Sequence, residues 1–228
     1  MMKWLDRLTH RGARTPQDPF VSLRAYPPYA APHIGPPTSW TRAQAEANLD
    51  HLVLHRGARL IALGDWLRAH AGIDIRPALL GGAPDPLLDA LDAWVKATWP
   101  ALFVPAIAKP EVWLRSTRAG DEIVYSLLLD IALLLGELVL VRREGYRWGL
   151  DLDPLSERDG MRSWQRPILL LPAREGVPPD IGIDFEELVV GRYWHPNDVM
   201  DRLLDPWKHE VIEAASGAKE DAWIATQT

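Results

Sequence analysis

The chain has 228 residues, 47% of them hydrophobic, with eleven tryptophans and a formal net charge of −6. Chains of this size typically bury about 70% or more of their unfolded surface, so the composition excludes a disordered protein. The acidic pI near 5.6 argues against a general nucleic-acid binder, whose footprint is a basic domain. The lack of cysteine excludes disulfides, thiolate nucleophiles and zinc sites of the cysteine type.

The N-terminal stretch MMKWLDRLTHRGARTP has no continuous apolar run and is not expected to act as a signal peptide. Its Trp4, Leu5 and Leu8 could line a short docking helix. Seven prolines between Thr15 and Thr38 fix φ and remove backbone donors. Residues 1–38 are therefore expected to form an arm without regular structure, wrapped on the body through Phe20, Tyr26 and Tyr29. A single α+β domain is expected over 39–228.

Thr41 and Gln44 form a capping box, and Ala45, Leu49, Leu52, Val53, Leu60, Leu63 and Leu67 recur at helical spacing to about Ala71. Gly57 and Gly64 each cost about 1 kcal/mol relative to alanine, which predicts a bend or break near Gly57. Asp85–Pro86 opens a second helix, with Leu87, Leu88, Leu91, Trp94 and Val95 on one stripe and an end at Trp99–Pro100. Leu102–Pro110 reads as a loop.

Next comes GDEIVYSLLLDIALLLGELVLV, acidic at its start, as a helix N-terminus favours. The spacing predicts a helix over 121–135 that is apolar nearly all round, and hence buried. Gly136 should end it. Ile123–Val141 approaches the roughly 20 residues of a membrane span, but a central Asp130 costs about 2.5–3.5 kcal/mol there. Glu137–Val141 and Tyr146–Leu152 read as paired strands and Ile168–Leu171 as a third, while Asp184–Val190 suits strand or helix and leans to strand. One closing helix starts at Pro196 or Asn197; the last opens at Asp205–Pro206 and stops at Gly217. Helices, then antiparallel strands, then helices make the expected fold class α+β, with a helical N-terminal half and a small sheet in the C-terminal half.

Four carboxylates draw attention. Asp130 and Glu137 lie in apolar surroundings, where an unpaired charge is costly. The expected solution is burial beside Arg143, Arg147 or Arg166. Asp151 and Asp153, in GLDLDP, point to one side of a strand. Were all four to converge, they could hold Mg²⁺ for a metal-dependent hydrolase or transferase. His51 and His55 share a helix face at the spacing that zinc sites use, but Leu52 stands where a metalloprotease needs glutamate, and the expected reading is a polar face. No P-loop, G-x-G-x-x-G or G-x-S-x-G occurs. No catalytic residue, metal ligand or cofactor is therefore assigned.

The charge is uneven. Residues 1–59 carry eight Lys/Arg against four Asp/Glu, whereas residues 180–228 carry four against eleven. Such an acidic segment suits a basic protein partner. Tryptophan dominates interaction hot spots, so Trp194, Asp198, Asp201, Asp205 and Trp207 form the expected partner-binding set, with Trp164 and Trp223 also placed off the helical stripes.

The run from Trp113 to Tyr193, with WLRSTRAGDEIVYSLLLDIALLLGELVLV, YRWGLDLDP and RPILLLP, resembles uncharacterised bacterial domains of the immunity-protein type that accompany polymorphic toxins. The resemblance spans about a third of the chain and has no diagnostic motif. It implies a non-enzymatic cytoplasmic protein that neutralises a toxin by occlusion; the acidic charge and the central Asp130 add the expectation that neither nucleic acid nor membrane is its partner.

Overall fold

The computed structural model describes residues 22–171, 181–196 and 205–218. The fold is α+β: long helices first, then a three-stranded antiparallel sheet, then two closing helices. The arm enters the body at once, burying Leu23, Tyr26 and Tyr29. Trp4, Leu5, Leu8 and Phe20 lie outside the described residues.

Helix α1 spans Arg42–Ala71 behind the expected capping box, and Gly72 closes it at φ 70° with its N–H bonded to the Leu67 carbonyl. It runs unbroken through Gly57. Gly57 faces open space, so it costs the helix only its intrinsic propensity, while the opposite face buries Leu52, Leu63 and Leu67. Packing outweighs propensity here. Gly64 has a different use, because a Cβ there would sit 3.1 Å from Ile75 Cδ1.

Helix α2, Asp85–Leu102, continues one turn beyond the expected end, through Pro100. Trp99 and Leu102 on either side of that proline are buried, which offsets the lost backbone bond. Trp99 stacks edge-on with Trp94 and Tyr193.

Helix α3, Val124–Leu140, is the hub, packed against α1 and both closing helices. It passes straight through Gly136, which corrects the expectation of a stop followed by a strand at Glu137–Val141. The glycine serves a close approach: a Cβ at Gly136 would lie 2.3 Å from Trp148 Cζ2. The segment 120–140 is long and apolar enough to cross a membrane, yet 89% of its most apolar window is covered by the rest of the protein.

With no strand at 137–141, β1 (Arg147–Leu150) pairs instead with β2 (Pro167–Leu171), Arg147 opposite Leu170 and Leu150 opposite Pro167. Strand β3 (Ile181–Ile183) adds to the other edge of β2, Leu169 opposite Ile183. Asp184–Val190, expected as a strand, opens helix α4, Phe185–Trp194. Asp184 caps it by accepting from Glu187 N, and the buried Phe185, Val189, Val190 and Tyr193 follow a helical period. Helix α5, Asp205–Ser216, opens and closes as expected and buries Trp207, Val211 and Ala214. The helix expected from Pro196 or Asn197 lies almost wholly outside the described residues.

Candidate binding surfaces

Asp130 is fully buried, and its partner is Arg59 of α1 rather than Arg143, Arg147 or Arg166. Arg59 Nε and Nη2 reach the two carboxylate oxygens at 2.8 and 2.7 Å, and the Tyr26 hydroxyl donates a third bond. Arg59 Nη1 donates onward to the carbonyls of Pro27 and Pro28 at 2.9 and 3.2 Å. The pair thus fastens the arm to α1 and α3. Burial pushes the Asp130 carboxyl up to about 6 against the pull of Arg59 and Tyr26. Glu137 accepts from Trp148 Nε1 at 3.0 Å and lies 3.7 Å from Arg56, so it seats the indole that Gly136 admits.

The other two acids have local structural work. Asp151 accepts from Ser163 Oγ at 2.5 Å and from the Asp153 amide at 3.1 Å. Asp153 caps the short helix Pro154–Arg158 through Leu155 N at 2.8 Å. The four carboxylates therefore do not converge as the Mg²⁺ reading requires. The His51 and His55 rings lie 4.3 Å apart, but among the described residues no group of three His, Asp or Glu side chains is placed to hold a metal.

A buried charge network does form elsewhere, from residues that sequence reasoning left unlinked. Glu186, in the first turn of α4, receives Trp113 Nε1 at 2.9 Å and Arg118 Nη1 at 2.6 Å on one oxygen, and Arg166 Nη2 at 3.0 Å on the other. Arg166 also reaches both oxygens of Asp184 and lies 4.2 Å from the centre of the Trp113 ring. Two cations beside Glu186 hold its carboxyl down near 2 despite burial, whereas burial leaves Asp184 raised to about 6.

Local backbone places both arginines. Arg118 adopts φ 55° and the neighbouring Gln165 φ 62°, a left-handed conformation that costs a non-glycine residue about 1–3 kcal/mol. The Arg118 turn is held by its own N–H on Ser116 Oγ at 2.9 Å and by Ser126 Oγ on its carbonyl at 2.7 Å. Ser126 Oγ also accepts from Tyr29 N at 2.7 Å, tying the arm to this loop. Gln165 N donates to the Asp151 carbonyl at 2.8 Å, and Asp151 N donates to Arg166 O at 3.1 Å, so the loop returns Arg166 to the sheet edge. Under the arm these elements enclose a chamber of about 60 Å³, whose lining includes the polar Tyr29, Trp40, Arg118, Arg166 and Glu186 and the apolar Leu52, Leu129 and Leu133.

The expected partner-binding set divides. Trp207 is 4% exposed and stacks on Trp99 at 5.5 Å. It belongs to the core, because its position two residues into α5 turns it inward with Val211 and Ala214. Trp194 is half-buried between Trp113 and the Arg162 guanidinium. Asp198 and Asp201 lie outside the described residues, as does the side chain of Asp205. Trp164 is half-buried; Trp223 is outside the described residues.

The outer face of α1 presents a different surface. Leu54 is 78% and Ile61 68% exposed, with Val53 beside them, and Gly57 and Ala58 lie between. Leu54, Gly57, Ala58 and Ile61 stand at i, i+3, i+4 and i+7, so they form one contiguous stripe. The exposed Asp50 and Asp65 bound it at either end. That second stripe was readable in the sequence, on the side opposite the one that packs. Comparisons with protein-family models, curated proteins and solved structures give no match to the chain.

Proposed function

We propose that the chain is a non-enzymatic binding protein of the immunity type, which acts in the cytoplasm and neutralises a bacterial toxin by covering its active site. The observation that carries the reading is the apolar stripe on α1. Contiguous exposed apolar surface rimmed by charge marks protein interaction sites, and Leu54 and Ile61 are largely exposed rather than packed among the described residues. The partner is a folded basic protein with an apolar ridge. Asp50 and Asp65, fifteen residues apart on one helix and so about 22 Å from each other, select cations at the two ends of that ridge. The net charge of −6 favours the same partner by steering encounter. The acidic set supports a binding role as well, since Asp130, Glu137, Asp151 and Asp153 each hold part of the fold.

The test is co-expression with the product of the neighbouring gene, read as growth rescue and as a dissociation constant. Covering a large aliphatic side chain contributes about 1.5–3 kcal/mol, so Leu54→Asp/Ile61→Asp should weaken binding by roughly a hundredfold or more and abolish rescue. Its melting temperature should match wild type, because exposed substitutions usually change stability by less than about 0.5 kcal/mol. Full rescue by that variant would overturn the assignment of this face, and failure of the wild type to bind or rescue would overturn the reading itself.

A further inference from the structure

The chamber under the arm has more hydrogen-bond donors than acceptors. Both oxygens of Glu186 are taken by Trp113, Arg118 and Arg166, and both oxygens of Asp184 by Arg166. Arg118 spends only Nη1, on Glu186 and on the Tyr125 carbonyl at 3.2 Å, so its Nε and Nη2 have no acceptor among the described residues. Arg166 Nε is in the same position. The Asn48 amide is closed in a two-way bond with the His33 backbone, 3.0 Å each way. Tyr29 is 6% exposed, yet its hydroxyl meets no protein acceptor among the described residues. Burial raises its pKa far above the ordinary phenol value, so it remains a proton donor at neutral pH. Trp40 Nε1 is buried and has no partner.

Buried donors are almost always satisfied, by protein or by something bound. In this chamber Trp40 Nε1 is such a donor with no partner, and Arg118, Arg166 and Tyr29, each with a donor to spare, line the same chamber together with Leu52, Leu129 and Leu133. A second chamber of about 50 Å³ shares Ala31, Trp40, Arg118 and Arg166 with the first. A ligand that supplies acceptors at one end and a short apolar body at the other fits this mixed lining.

We propose that the chamber between the arm and the α3–sheet body binds a small monocarboxylate with a short aliphatic tail. Arg118 and Arg166 hold the carboxylate, assisted by the Tyr29 hydroxyl and the Trp40 indole, and Leu52, Leu129 and Leu133 receive the tail. A chamber of about 60 Å³ takes roughly four to six ligand atoms on the scale of one water per 10–15 Å³, which corresponds to acids of two to four carbons. This site is separate from the α1 face, and the two stand or fall independently.

The experiment titrates the full chain with acetate, propionate, butyrate and benzoate, and with propionamide and inorganic phosphate as controls, by calorimetry and by thermal melting. Saturable binding of the short carboxylates is expected, with a rise in melting temperature of roughly 5–10 °C at a hundredfold excess over Kd. Benzoate and phosphate should bind at least tenfold more weakly. Tyr29→Phe removes a hydroxyl that no group among the described residues uses, so it should fold like wild type and bind at least fivefold more weakly. Arg118→Lys, which keeps the charge but not the fork, should weaken binding at least as much. Absence of saturable binding by any short carboxylate would overturn the proposal. Equal affinity for propionamide or phosphate would overturn the ligand class, and an unchanged affinity in a folded Tyr29→Phe variant would overturn the placement of the site.

Discussion

Replacing Asp130 by alanine probes the joint between arm, α1 and α3. The carboxylate is fully buried and receives two bonds from Arg59 and one from Tyr26. Alanine leaves Arg59 with Nε and Nη2 unpaired and only the two proline carbonyls on Nη1. Stranding one member of a buried pair costs about 3–5 kcal/mol, and leaving the Tyr26 hydroxyl unpaired adds about 1 kcal/mol. Asp130→Ala should therefore lose roughly 4–6 kcal/mol, a large part of the 5–15 kcal/mol that holds a typical domain together. Asp130→Asn keeps an acceptor of the same shape and should lose about half as much. Arg59→Met alone should cost nearly as much as Asp130→Ala, since it strands the carboxylate. Combining Arg59→Met with Asp130→Ala removes both charges, and the double variant should be more stable than the sum of the singles by about 2–4 kcal/mol. Urea unfolding followed by tryptophan fluorescence measures all four, with m values near wild type. Singles that cost under about 1 kcal/mol, or a strictly additive double variant, would refute the buried ion pair as the joint.

The same carboxylate makes a pH prediction. Its folded pKa of about 6 stands above the ordinary 3.8, so its stabilising contribution is complete below the unfolded value and is lost as pH rises through 6. Between pH 7 and 4 wild type should gain up to about 3 kcal/mol that Asp130→Asn does not. Asp184 acts in the same sense in both proteins, and Glu186, held near 2, acts oppositely in both from about pH 4.5 downward. Identical pH profiles for the two proteins would place Asp130 in contact with solvent. Two glycines of one helical type should respond in opposite directions. Gly57→Ala, in open space on α1, should stabilise by about 0.5–1 kcal/mol, whereas Gly136→Ala should destabilise by about 1–3 kcal/mol through collision with Trp148. Thermal melts decide both, and a stabilised Gly136→Ala would mean that Trp148 does not pack there. Finally, changing Asp198, Asp201 and Asp205 together to lysine should slow association with a basic partner and weaken its salt dependence while leaving dissociation unchanged. Stopped-flow rates at two ionic strengths check this, and unaltered association would confine recognition to the α1 face.

Local chemistry was enough for the elements whose signals are local. The Thr41–Gln44 box, Asp85–Pro86 and the Asp205–Gly217 bounds each act through a backbone only a few residues away, so α1, α2 and α5 could be read off the chain. The buried character of α3 followed from its unbroken apolar composition, and the α+β class from the order of segments. Glu137–Val141 and Asp184–Val190 were misread because short apolar runs suit helix and strand alike, and the choice fell to distant partners. Trp148 sits on Gly136 and turns an apparent stop into a contact; the cap at Asp184 brings Glu186 to Arg118 and Arg166 and makes its segment a helix. Asp130 shows the same division. That it must be buried and paired followed from its neighbours, but Arg59 is 71 positions away in the chain, and no spacing rule connects them. The chamber is further still from sequence, since its walls come from the arm, α1, the Arg118 turn, α3, the sheet and α4. Sequence alone settles what a residue cannot tolerate, because solvation is a property of the side chain; which partner satisfies it is a matter of distance, and only the tertiary structure sets that.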